Sequence, residues 1–131
     1  MRVYVEASAA AKLLVEEPES VALAARLEGW VADGFAITTC SLLETEVRRL
    51  AQRFAIAQER VSDLLDRFDV VEPDALTYRT AGLLPGEHLR SLDALHVAAA
   101  LQADCRTMVT YDLRQAEAAR AAGLRIEAPR A

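Results

Sequence analysis

Glu6, Glu46, Asp93 and Asp112 lie far apart in the chain, yet they hold most of the chemistry the sequence offers. Each stands at or near a junction between elements. Glu6 ends the apolar stretch "RVYVE" (2–6), and Asp112 follows "RTMVTY" (106–111). Asp93 falls in the first turn of the segment that starts at Ser91, and Glu46 lies within "SLLETEVRRLAQRF" (41–54). Carboxylates crowded together without cations repel one another, so some must stay protonated. A hard divalent ion removes that conflict. Oxygen donors without a Cys pair or a His pair suit Mg²⁺ or Mn²⁺ better than Zn²⁺. Such ions polarise phosphoryl oxygens and acidify bound water, which is the chemistry of phosphodiester hydrolysis.

Strands and helices alternate along the chain, and this alternation can bring the acids together. Short apolar strands are expected at 2–6, 35–39, 69–72 and 106–111, with a last one at 124–128. Helices are expected at 8–14, 18–33, 41–54, 57–68, 73–84, from about 91, and 113–123. Apolar strands between helices indicate an α/β fold, a three-layer α/β/α sandwich with a mainly parallel sheet, over a single domain spanning 1–131. In open parallel sheets the functional crevice lies beyond the carboxyl ends of the strands. Glu6 and Asp112 end strands there, and the helix bearing Asp93 begins there. On the helix from Ser41, Leu43, Val47, Leu50 and Phe54 form the expected buried stripe. Glu46 flanks that stripe, while Glu44 lies well off it.

Each acid also has a plainer role. Asp93 could favour its helix dipole, with Ser91 as N-cap, and Asp112 could cap the last helix. Glu46 could pair with Arg49 or Arg53. Glu6 could be a solvated strand end. These roles suffice one at a time, but they leave the convergence on one sheet edge unexplained.

At these residues the chain resembles the PIN-domain nucleases, specifically the VapC toxins of VapBC toxin–antitoxin pairs. "VYVEASAAAKLL" is similar to the family's opening strand–acid–helix block, and "SLLETEVRR" to its glutamate helix, with Glu46 in the motif position. "LRSLDALHVAAAL" and "VTYDLRQAEAARAAGL" match the blocks of the third and fourth acids, Asp93 and Asp112. The resemblance implies a Mg²⁺- or Mn²⁺-dependent endoribonuclease, a homodimer, and inhibition by a cognate VapB-type antitoxin. It implies that Glu6, Glu46, Asp93 and Asp112 are catalytic and metal-binding, with Ser8 and Thr110 as supporting hydroxyls. One position departs from the pattern, since the family has Asp where this chain has Glu6. The longer side chain raises the alternative of a catalytically impaired module that acts by binding RNA or antitoxin.

Composition narrows the field further. With 53% hydrophobic and 27% charged residues, the chain belongs among globular folds. A net charge of −5 argues against indiscriminate nucleic-acid binding. Lys12 is the sole lysine among 15 cationic residues, and the remaining arginines suit phosphate. Arg48, Arg49 and Arg53, on the Glu46 helix, are candidate RNA contacts. The N-terminus loosely imitates a signal peptide, but Glu6 interrupts it, and no apolar run reaches the roughly 18 residues of a membrane span. Cys40 and Cys105 read as buried thiols of a reducing compartment, so a cytoplasmic location is expected. His88 and His96 lack zinc-ligand spacing. A phospho-acceptor receiver domain would need adjacent acids after the first strand and a lysine near the end, and both are missing. Two amphipathic stretches, "SVALAARLEGWVAD" and "RVSDLLDRF", offer apolar surface for a partner segment, with Trp30 as anchor or core residue.

Overall fold

A computed structural model describes all 131 residues. The elements run β1 (Arg2–Val5), α1 (Ala7–Leu14), α2 (Ser20–Ala32), β2 (Ala36–Cys40), α3 (Leu42–Phe54), α4 (Gln58–Leu65), β3 (Asp69–Val71), α5 (Ala75–Leu83), α6 (Ser91–Gln102), β4 (Thr107–Val109), α7 (Leu113–Ala121) and β5 (Arg125–Glu127). All strand pairs are parallel, in the order β3-β2-β1-β4-β5. β1 is central, with Val3 opposite Ile37 on one side and Thr107 on the other.

Both sheet faces are buried because strand side chains alternate between two helical layers. Val3, Val5, Ile37 and Val109 pack against α1 to α4, together with Leu14, Leu23, Leu43, Val47 and Val61. Tyr4, Cys40 and Met108 face the other way, toward Val97, Ala99 and Ala100 of α6 and Ala119 of α7. The expected α/β/α sandwich is the observed one. Chain order reverses between β1 and β4, since connections from β1 to β3 run over one face and those from β3 to β5 over the other. This reversal opens a crevice at the carboxyl ends of β1 and β4, where open α/β sheets bind ligands.

Three local expectations change. The buried stripe of α3 is Leu43, Val47 and Ala51, whereas Phe54 is 54% exposed. The helix ends at Ala55 in a left-handed conformation (φ 54°), and beyond that turn Ile56, not Phe54, packs against the core. Helix α2 starts at Ser20, not Pro18, because the preceding turn ties α1 to α2: Ser20 Oγ donates to Lys12 O at 2.6 Å, and Lys12 pairs with Glu17 and Glu19. Helix α4 stops at Leu65, where Arg67 N and Phe68 N donate to Leu64 O and Leu65 O in a tight turn. Left-handed Ala55 is a site where glycine fits better. Ala55→Gly is expected to gain about 0.5 kcal/mol in urea unfolding, because relief of roughly 1 kcal/mol of strain exceeds the added unfolded-chain entropy. A loss would mean that the position carries no strain.

Candidate active site

Glu6 directly follows β1 and, instead of facing solvent, is 2% exposed and caps α1. Its Oε1 accepts from Ala9 N at 3.2 Å and from Ser8 Oγ. Glutamate is an unusual cap, since shorter side chains reach the helix amides with less chain to order. Burial raises the Glu6 pKa above the usual carboxylate value, and the Ser8 bonds only partly offset this.

Ser8 links this cap to the end of β4. Its hydroxyl lies 3.3 Å from Thr110 Oγ1 and accepts from Tyr111 N at 2.9 Å. Thr110 Oγ1 donates to Gln115 Oε1 at 3.1 Å and accepts from Asp112 N at the same distance. Buried Gln115 then donates through Nε2 to the backbone carbonyl of Asp93 at 3.2 Å. One hydrogen-bonded path thus connects β1, β4, α7 and α6 at the crevice. Asp112 is the N-cap of α7, with Oδ1 accepting from Arg114 N (2.9 Å) and Gln115 N (3.1 Å).

Asp93 occupies the first turn of α6, as expected, although Arg90 rather than Ser91 holds the N-cap position. Its pKa is raised, first by burial and then by the charge of Asp112, with Glu46 adding to the effect. The nearest cations only soften this. Arg90 Nε stands 4.0 Å away on an exposed side chain, and His96 lies deeper. A carboxylate whose ionised form is disfavoured by burial and by two other acids is suited to an added cation.

The sequence reading missed His96. It is fully buried, and its Nε2 lies 2.5 Å from Glu46 Oε1. Nδ1 meets the hydroxyl of buried Tyr4 at 2.7 Å, with Cys40 Sγ at 3.8 Å. Burial alone would lower the imidazole pKa, but Cys40 and Glu46 together raise it to about 10. The spacing held a clue, because Asp93 and His96 are three apart on α6 and share a face.

Glu46 is thus turned to His96, and not to Arg49 or Arg53 as its plainer role required. Its side chain is 20% exposed, whereas Glu44 is 56% exposed and pairs with Arg48. Arg48 also donates to Gln58 Oε1 (2.9 Å) and Ser62 Oγ (3.1 Å), so it serves the α3–α4 junction. Arg49 and Arg53 remain exposed on α3. Trp30 is a core residue under the Arg26 guanidinium, which sits 3.9 Å from its ring centre.

Asp93, Asp112 and Glu46 share one electrostatic neighbourhood without closing into a cage, and Glu6 joins it only through His96. No group of three His, Cys, Asp or Glu side chains in the protein stands close enough to hold an ion. Mg²⁺ does not require such a group, because it keeps several waters and takes one or two carboxylates. The donor chemistry therefore fits, with Asp93 and Asp112 as the pair of acids close enough for the charge of Asp112 to act on Asp93.

Comparison with known proteins adds three findings. A PIN-domain family model matches residues 3–121. Two ribonucleases of Mycobacterium tuberculosis are similar over 97% of the chain and 96% of their own length, VapC35 at 39% identity and VapC47 at 33%. Among solved structures, VapBC2 from Rickettsia felis, bound to a promoter DNA fragment, aligns with a TM-score of 0.75 at 17% identity, covering 97% of this chain and 98% of that one. PAE2754 from Pyrobaculum aerophilum aligns at 0.63 with 21% identity, covering 96% and 92%. At these identities the structural likeness concerns the fold.

Proposed function

Because the chain belongs to the PIN-domain family, and within it to the VapC ribonucleases, we propose that it is a toxin cutting RNA phosphodiester bonds at the β1–β4 crevice with a bound Mg²⁺ or Mn²⁺. A cognate antitoxin restrains it. The observation carrying the reading is Asp93, whose burial and two acidic neighbours disfavour its charge until a cation arrives.

In this reading Asp93 and Asp112 would hold the ion, with Glu46 beside them and Glu6 supporting the site from the α1 cap. When bound, the ion neutralises charge on the scissile phosphate and acidifies a water molecule. Glu46 would orient the attacking water and accept its proton on Oε2, the oxygen that His96 leaves free. Ser8 and Thr110 keep the ends of β1 and β4 in register, so the acids hold their positions during turnover. Arg49 and Arg53 neutralise flanking phosphates, while Arg48 contributes by fixing the helix that bears Glu46. The products carry 5′-phosphate and 3′-hydroxyl ends.

The antitoxin is expected to lay an amphipathic segment in the cleft of about 360 Å³ between α2 and α4, lined by Leu13, Leu27, Val31, Leu64 and Phe68. Homodimerisation belongs to the same reading, and exposed Leu76, Tyr78 and Leu83 of α5 supply apolar surface for it. No helix is long and apolar enough to cross a membrane, and the cytoplasm is the proposed location.

The buried position of Glu6 favours examining one alternative, an impaired module that only binds. Wild type and Glu6→Asp are incubated with Mn²⁺ and labelled structured RNA, with and without EDTA. We expect discrete EDTA-sensitive cuts from both, at rates within about tenfold, because Glu6 works chiefly as a cap and a cap change is worth about 1 kcal/mol. Activity in Glu6→Asp alone would establish the impaired module instead. EDTA-resistant cutting would remove the metal from the account.

A further inference from the structure

At the opposite edge of the sheet, where the strands begin, four arginines line a second cavity. It measures about 560 Å³ and is walled by Arg2, Arg26, Arg106, Arg125, Trp30 and Phe35, with Asp104 and Glu127 as its acids. Charge of this sign is concentrated here in a chain whose net charge is −5. The register explains the crowding. Val3 pairs with Thr107 and Thr107 with Arg125, so Arg2 and Arg106 stand side by side, and Arg125 begins the next strand. The backbones of Arg106 and Arg125 are themselves bonded, with Arg125 N donating to Arg106 O at 2.8 Å.

These arginines are not equally free. Arg26 holds Glu127 with two bonds, of 2.8 and 3.0 Å, and covers Trp30. Arg2 lies 3.6 Å from Asp69. Arg106 and Arg125 are exposed and form no ion pair. Arg106, just before β4, and Arg125, at the start of β5, line the same cavity with no acid holding either, so an anion in it would meet both. Their planar forks suit phosphate oxygens.

We propose that this edge binds the phosphodiester backbone of the RNA cut at the other edge, as a second contact that holds the substrate. The inference rests on the ribonuclease reading. The two edges lie at opposite ends of β1, which is about 13 Å long at the usual rise per residue, so a folded RNA that passes over the covering helices can reach both. Phosphate contacts of this kind add affinity without reading bases. Exposed arginines at an open rim fit a long polyanion better than an enclosed small ligand.

The test compares wild type with an Arg106→Ala/Arg125→Ala double variant. Trp30 is the sole tryptophan and lies in the cavity wall, so its emission reports occupancy without any need for cleavage. Titration with a 12-nucleotide RNA in EDTA is expected to change the emission of wild type, and inorganic phosphate at equal phosphate concentration is expected to change it far less. In the double variant the RNA response weakens about tenfold, and the salt slope of log K falls by about 1.4, the value for two single-strand phosphate contacts. With Mn²⁺ present, KM rises about tenfold and kcat is unchanged. Equal RNA affinity and KM in the two proteins would overturn the proposal. So would a response to inorganic phosphate as strong as that to RNA, or a loss confined to antitoxin binding. If wild type binds RNA in this way but never cuts it, the ribonuclease reading fails while this surface stands.

Discussion

Replacing Asp93 by asparagine is expected to lower metal-dependent RNA cleavage by about 10²–10⁴-fold, the scale of several kcal/mol of ion-assisted stabilisation. The same change is expected to raise the melting temperature of the metal-free protein at neutral pH. The sign follows from the raised pKa of Asp93, since a carboxyl group that binds its proton more tightly when folded favours the fold at low pH. That contribution is fully present below the ordinary carboxyl pKa and is lost as pH rises through the folded value. At neutral pH the ionised side chain therefore works against folding, through burial first and then through Asp112 and Glu46. Asparagine removes the charge and keeps the shape. Melting curves with EDTA and cleavage assays with Mn²⁺ read the two effects separately. A variant that loses stability and keeps its activity would show that Asp93 is only a helix-start residue.

The second large effect concerns His96. His96→Leu is expected to cost about 3 kcal/mol in urea unfolding, because it strands Glu46 Oε1 and the buried Tyr4 hydroxyl together. Cleavage falls as well, by around a hundredfold, since Glu46 loses the bond that aims it. The pH dependence separates this pair from ordinary packing. Burial opposes the imidazolium, yet Cys40 and Glu46 raise its pKa from 6.5 to about 10. A raised histidine pKa contributes stability that is whole below pH 6.5 and disappears as pH climbs through about 10. Wild type should therefore lose stability steadily across that window, and the leucine variant should lose much less. Parallel slopes for the two proteins would mean that the ring is neutral when folded.

Much of this arrangement could be read from the sequence, and the reasons are physical. Apolar strands between amphipathic helices fix a parallel sheet, and the sheet then dictates that Glu6, Asp93 and Asp112 lie along its carboxyl edge, although Glu6 turns into its own helix cap instead of toward the other two. Glu46 was separable from Glu44 because helical spacing sets one acid beside the buried stripe and the other on the exposed side. What stayed hidden depends on contacts between distant elements. His96 lies inside an apolar run, and its partners Tyr4 and Glu46 come from two other elements. Arg48 resembled a phosphate contact until Gln58 and Ser62 proved to occupy it. The cap formed by Glu6 was obscured by its residue type, as glutamate seldom caps a helix. Phe54 gives way to Ile56, which reaches the core after a left-handed turn at Ala55, and no local signal announces such a turn at an alanine.

The most direct test of the proposed centre is calorimetric titration of metal-free protein with Mn²⁺, comparing wild type with Asp93→Asn/Asp112→Asn. Saturable binding by wild type, absent from the folded double variant, is the predicted result. Equal uptake by both proteins would contradict it and place the ion elsewhere.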